Sequence, residues 1–169
     1  HGLILVTGPT GSGKTTTLYT ILRYLQTQKK QNIITLEDPI EKELYGIRQT
    51  NITPEKNFNF ASGLKAILRQ DPDIIMIGEI RDAETANIAL EAAYTGHLVL
   101  SSLHTHNIKS TLLRLKQFKC DEFLTNYALR GIISQKLINP TQNYQTTRYL
   151  DQEILLITKP LTTNLTTTN

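Results

Sequence analysis

Apolar residues in this chain keep two rhythms. Unbroken runs, such as Leu3-Ile4-Leu5-Val6, Ile33-Ile34-Thr35-Leu36, Ile74-Ile75-Met76-Ile77 and Leu98-Val99-Leu100, each end in a polar or glycine-bearing turn. A run without alternation, and too short for a helix, marks a strand buried on both faces, as in a parallel sheet. Between these runs the rhythm changes. Leu18, Ile21, Leu22 and Leu25 recur at i, i+3, i+4 and i+7, which predicts a helix beginning near Lys14. Residues 60–70 predict another, stopped ahead of Asp71-Pro72 because the position before a proline disfavours helix. An alanine-rich segment reaching about Ala93 predicts a third, with Asp82 as its cap. Segments 108–118 and 122–138 read as two closing helices, and 40–53 as a hairpin or irregular excursion around Gly46. Strand and helix in alternation predict an α/β fold: a mostly parallel central sheet covered by helices, plus a C-terminal helical part.

Length and charge narrow the picture. A chain of 169 residues makes one domain with one core. Its net charge of +3 is too mild to argue for nucleic acid as a partner. The single cysteine, Cys120, rules out an internal disulfide and suits a reducing cytoplasm. No signal peptide is visible, and no apolar run approaches membrane-spanning length. The chain opens with His1-Gly2 directly ahead of its first strand, which reads as a domain cut from something longer. Past Asn139-Pro140 the composition turns to Thr, Asn and Gln. Residues 1–139 are therefore read as the domain proper, and 140–169 as a divergent segment disordered from Thr162 onward.

The chemistry gathers where the apolar runs stop. The first run passes into Gly8-Pro9-Thr10-Gly11-Ser12-Gly13-Lys14-Thr15 and then into a helix. Strand, glycine-rich loop and helix is the context that makes G-x-x-x-x-G-K-[ST] a phosphate site. Gly8, Gly11 and Gly13 let the backbone curl so that its N–H groups face phosphate oxygens, and the helix N-terminus adds partial positive charge. Pro9, Thr10, Ser12 and Thr16 complete the expected nucleotide-binding stretch. Lys14 is placed to reach the β- and γ-phosphates, and the Thr15 hydroxyl to take a position on Mg²⁺.

Phosphate hydrolysis also needs a carboxylate that orients or deprotonates water. Glu79, at the end of the most apolar run, is the first candidate and Glu37 the second. The acidic residue that usually holds Mg²⁺ before such a glutamate is replaced by Gly78, so Thr15 and waters are left to hold the ion, helped by Asp38. His104 falls on the nucleotide edge and His97 at the other end of the same strand, about 23 Å apart at the usual rise. His104 can sense a γ-phosphate; His97 is structural or faces a neighbouring element or subunit. His104-Thr105-His106 carries two imidazoles but no acidic or thiol partner nearby to complete a metal site. Arg48, Arg69 and Arg81 are candidates for stabilising transition-state charge, in cis or from a neighbouring subunit.

The order GPTGSGKTTTLY, TLEDPIE, LRQDPDIIMIGEIRDAET, TGHLVLSSLHT closely resembles the secretion ATPases of bacteria. These are the type II secretion and type IV pilus assembly motors, with their competence-pilus relatives, and the four blocks correspond to their Walker A, Asp box, Walker B and His box. The resemblance implies a RecA-like C-terminal motor domain that uses ATP and Mg²⁺. It further implies a homo-hexamer on the cytoplasmic side of the inner membrane, working on the platform protein of a pilus or secretion system, with no nucleic-acid partner. It carries over Gly8 to Thr15, Glu37, Asp38, Glu79, His97 and His104. The chain departs from the family pattern at Lys65, where arginine is usual, and at His106, where asparagine is common. The block Arg130-Gly131-Ile132-Ile133-Ser134-Gln135 matches, yet Cys120 stands alone where many extension motors carry a four-cysteine zinc motif. A nucleotide-binding but degenerate ring subunit, a retraction-type motor and another RecA-like NTPase are the competing readings.

Overall fold

In the computed structural model, which describes residues 1–53, 58–138 and 149–158, the short apolar runs join one seven-stranded sheet. The strands are β1 (Gly2–Thr7), β2 (Ile33–Glu37), β3 (Arg48–Asn51), β4 (Ile74–Ile77), β5 (Leu98–Leu103), β6 (Leu129–Ile138) and β7 (Tyr149–Leu156). The helices are α1 (Lys14–Gln28), α2 (Phe60–Ile67), α3 (Ala83–Tyr94), α4 (Ile108–Gln117) and α5 (Glu122–Ala128). Across the sheet the order is β3-β2-β4-β5-β1-β6-β7. The first six strands run parallel and β7 pairs antiparallel with β6.

Alternate residues of each central strand serve two separate cores. Leu3, Leu5, Ile75, Ile77 and Val99 pack with Leu64 of α2, Leu90 of α3, Leu115 of α4 and Ala128 of α5. Val6, Ile74, Met76 and Leu100 face the other way, against Leu18, Tyr19 and Leu22 of α1. Both faces being covered, both sets of positions are mostly apolar, and the strands read as near-continuous apolar runs. On the first face α3 also meets α5 through an edge-on Tyr94–Phe123 pair, centroids 5.7 Å apart, and Phe123 packs on Tyr127 at 4.5 Å.

Two expectations change. Residues 122–138 do not form one helix: α5 stops at Ala128 and the chain enters β6, whose Leu129–Ser134 stretch pairs with Leu3–Thr7 of β1. The helical reading came from apolar residues on neither a clean 2 nor a clean 3.6 period. Gly131-Ile132-Ile133 supplies the β-branching that favours strand, and the position between β1 and β7 decides the matter. Segment 40–53 is not a hairpin but ends in β3, a parallel edge strand on β2. Residues 149–156 add an antiparallel strand beyond β6. The disorder expected from Thr162 onward lies outside the described residues.

Because the first six strands are parallel, the C-terminal ends of β1, β2, β4 and β5 open on one edge. The turn after β4 is tied on two sides: Gly78 N–H donates to Leu36 O on β2 at 2.7 Å, and Ile80 N–H to Ser102 O on β5 at 3.0 Å. Ser102 Oγ returns a bond to Gly78 O at 2.7 Å. Glu79 is thus carried between two strands. Asp82 then caps α3, its side chain accepting from Thr85 N–H at 2.8 Å. An Asp82→Ala protein is expected to lose about 1 kcal/mol of stability in chemical denaturation.

Candidate active site

The loop between β1 and α1 has the backbone its glycines foretell. Gly8, Gly11 and Gly13 have φ of 151°, 75° and 88°. At Gly8 a Cβ would lie 2.2 Å from the backbone oxygen of Gln135 on β6, so only glycine lets the loop approach the sheet this closely. Gly13 precedes α1 with no side-chain cap, and the first helical turn carries no acidic residue. Helix amides left without partners, at the positive end of the dipole, form an anion site.

Lys14 sits at its centre, only 8% exposed. Its Nζ donates to Gly8 O at 3.0 Å and Pro9 O at 3.1 Å. Burial pushes its pKa down, and the Glu79 carboxylate partly opposes that shift. A buried ammonium bonded only to carbonyls lacks the countercharge that burial requires. A phosphate chain would supply it. The Ser12 hydroxyl is buried without a hydrogen-bond partner in the same loop.

A cleft of about 330 Å³ opens over the loop, lined among others by Thr10, Gly11, Thr16, Glu41 and His104. The carboxylates around it differ sharply in their partners. Glu37 is 3% exposed and held by three donors: Tyr19 Oη and Thr35 Oγ1 donate to it, as does Gln49 Nε2 at 2.9 Å. Glu79 lines the same cleft as Glu37 but is less enclosed, its side chain 20% exposed. His104 Nε2 lies 3.5 Å from its Oε2, and Arg81 Nη2 bonds its Oε1. Arg81 Nη1 reaches Asp38 Oδ2 at 3.0 Å, so one guanidinium holds both acids and its own pKa rises, chiefly through the bond to Glu79. Its ζ-carbon also lies 5.8 Å from the Phe60 ring centroid. The Thr15 hydroxyl donates to Glu41 Oε1 at 3.2 Å.

Gly78 has a packing reason. A Cβ there would stand 3.3 Å from Leu36 O and 3.5 Å from Glu37 Cα, leaving little room for an aspartate against β2. Among the described residues no three His, Cys, Asp or Glu side chains converge as a metal cage. Thr15 and Glu41, both oxygen donors beside the phosphate loop, fit an ion carried largely by phosphates and water, as Mg²⁺ is.

The remaining candidates fall elsewhere. His97 is at the start of β5, with Nδ1 2.9 Å from Ala92 O, where it closes the turn after α3. Arg48 begins β3 and donates to Asn32 Oδ1 at 2.5 Å; Arg69 lies in the turn Leu68–Gln70, whose Gln70 O also binds Asn32. Both arginines are therefore on the opposite edge of the sheet from the cleft. Lys65 pairs with Glu84 at 2.6 Å on the exposed α2–α3 surface. Tyr19, Gln49, Glu41 and Gln135 escaped the sequence reading as supporting residues. Tyr19 lies four residues after Thr15 on a helix face, the one signal that could have pointed to it.

A glycine-rich loop on an uncapped helix, a buried lysine and a carboxylate facing them define a phosphate-loop nucleotide-binding domain of RecA-like α/β architecture. The comparisons agree. The profile of the family described as Type II/IV secretion system protein matches residues 1–166, and the chain belongs to that family. It is 55% identical over 138 residues to the type II secretion system protein E of Dickeya dadantii, covering 82% of this chain and 28% of that protein. It is 53% identical over 138 residues to the type II secretion system ATPase E of Vibrio cholerae, covering 82% and 27%. The crystal structure of the pilus retraction motor PilT with bound ADP superposes with a TM-score of 0.82 at 40% identity, over 96% of this chain and 48% of that one. The chain thus spans under a third of these curated relatives and about half of the structural one. No helix among the described residues is long and apolar enough to cross a membrane.

Burial, with the bond to Glu37 and that carboxylate's charge, pushes the Tyr19 phenol up to about 12. The neutral phenol is the bonded form, so its stabilising contribution is whole below the ordinary value of 10.0 and lost as pH rises through about 12. In an absorbance titration one of the seven tyrosines is expected to ionise near 12, and that step to vanish in Tyr19→Phe.

Proposed function

We propose that this chain is the ATP-binding and ATP-hydrolysing motor domain of a type II secretion or pilus-assembly machine. One observation carries the reading: buried Lys14 and cleft-facing Glu79 meet across a glycine loop whose helix amides are free. Gly8 to Thr16 would cradle the phosphates through backbone N–H groups, with the Lys14 ammonium leaving its loop carbonyls for β- and γ-oxygens. Mg²⁺, when bound, would neutralise charge between those phosphates, held by Thr15 with Glu41 and Asp38 at hand. Glu79 would orient the attacking water and accept its proton at the oxygen nearer His104. Glu37, buried and held by three donors, would position the site rather than take a proton. Arg81 would release its carboxylates to meet developing phosphoryl charge.

Similarity to the type II secretion proteins, higher than to the retraction motor, favours the secretion and assembly branch. A homo-hexamer on the cytoplasmic face of the inner membrane, engaging a platform protein, is the corresponding assembly. Arg48 and Arg69, remote from the cleft in their own chain, suit a subunit boundary. One observation favours the degenerate-subunit reading: Arg81 occupies Glu79 in this arrangement.

Lys14→Ala is expected to abolish ATP binding by calorimetry. Glu79→Gln should keep ATP affinity near wild type while turnover falls by roughly 10²–10⁴-fold. The same loss from Glu37→Gln with none from Glu79→Gln would reverse the assignment. Turnover per subunit, followed over a wide protein concentration range, should rise with concentration if neighbours complete the site. A flat profile would remove the ring from the mechanism.

A further inference from the structure

One buried polar residue beside the loop has no part in the reaction just described. Gln135, on β6, is 2% exposed and outside the lining of the cleft. Its amide is spent wholly on the loop: Nε2 donates to Ser12 O at 2.6 Å, and Oε1 accepts from Thr17 Oγ1 at 2.9 Å. Its backbone closes on the loop as well, at the site where Gly8 can carry no Cβ. A single residue therefore grips the loop at its start, before its last glycine, and in the first turn of α1.

The direction of these bonds matters. A trans peptide points its C=O and the following N–H in opposite directions. Drawing Ser12 O toward β6 turns the Gly13 N–H away from β6, into the cleft that Gly13 lines. Gly13 holds this arrangement at φ 88°, a backbone that an L side chain adopts only under strain. Three glycines leave the free loop many conformations, and a brace that removes them before binding lowers the ordering cost at binding.

We propose that Gln135 is a positioning residue for the nucleotide's β-phosphate, presetting the Gly13 amide as a donor through Ser12. The inference rests on the phosphate-loop reading and deepens it. ADP and ATP share the β-phosphate, so loss of the brace should weaken both alike.

Calorimetric binding of ADP and ATP to wild type, Gln135→Met, Thr17→Val, their double variant and Lys14→Ala, each checked for folding by circular dichroism, tests this. Gln135→Met, similar in size but without donors, should weaken ADP and ATP by about tenfold each. Thr17→Val, removing only the anchor on α1, should cost about threefold, and the double variant no more than Gln135→Met alone. A folded Gln135→Met that binds ADP as wild type does, while Lys14→Ala does not bind, overturns the proposal and leaves the phosphate loop standing. Additive losses in the double variant overturn it too. If Lys14→Ala binds normally, the phosphate-loop reading itself fails. Should Gln135→Met not fold, Thr17→Val decides, with unchanged ADP affinity there counting against the brace.

Discussion

A lysine ammonium held inside the protein and hydrogen-bonded only to carbonyl oxygens is the constraint on which this domain turns. Desolvation of a charge is expensive, and carbonyl dipoles repay it only in part. The depressed pKa of Lys14 is the record of that deficit. The fold sustains it because Lys14 begins a helix whose first half packs onto β1 and β5 through Leu18, Tyr19 and Leu22. Around it the acidic side chains and the Thr15 hydroxyl are already partnered, while the buried Ser12 hydroxyl is not. Asp38 and Glu79 share Arg81, Glu37 has three donors, and Thr15 has Glu41. Nucleotide binding on such a site would exchange partners at these side chains, and would give new ones to the Lys14 ammonium, the Ser12 hydroxyl and the uncapped amides of α1.

The loop, the buried strands and the acidic edge were legible because each has a local cause. Glycines at 8, 11 and 13 mark backbone that only glycine adopts easily, and a strand covered on both faces cannot hide its apolar run. What stayed hidden depends on neighbours distant in sequence. β6 looked helical because Leu129 to Ile138 carry no clean period, and only pairing with β1 and β7 imposes one. Glu37 stood as the second catalytic candidate behind Glu79, and its bonds from Tyr19 and Gln49, on α1 and β3, could not be read from the sequence. Arg48 and Arg69 carried the right charge, but strand polarity sends them to the far edge.

Gly78 shows how packing and chemistry can be confused. Read as chemistry, a glycine in place of an aspartate is a missing metal ligand. Its carbonyl instead accepts from Ser102 while its amide donates to Leu36 O, and a Cβ there would press on Leu36 O at 3.3 Å. The position serves to bring two strands together behind Glu79.

The antiparallel strand at the end of the described chain has a consequence for the first loop. Side chains on a strand alternate, so a shift of one residue in β6 would turn Gln135 out and offer Ser134 or Lys136 in its place. A strand at the margin of a sheet is where such slippage is easiest. By pairing Tyr149–Leu156 along Gly131–Ile138, the chain converts β6 from margin to interior. β7 touches no nucleotide, yet it works as a gauge block that sets the distance and phase at which β6 meets the loop.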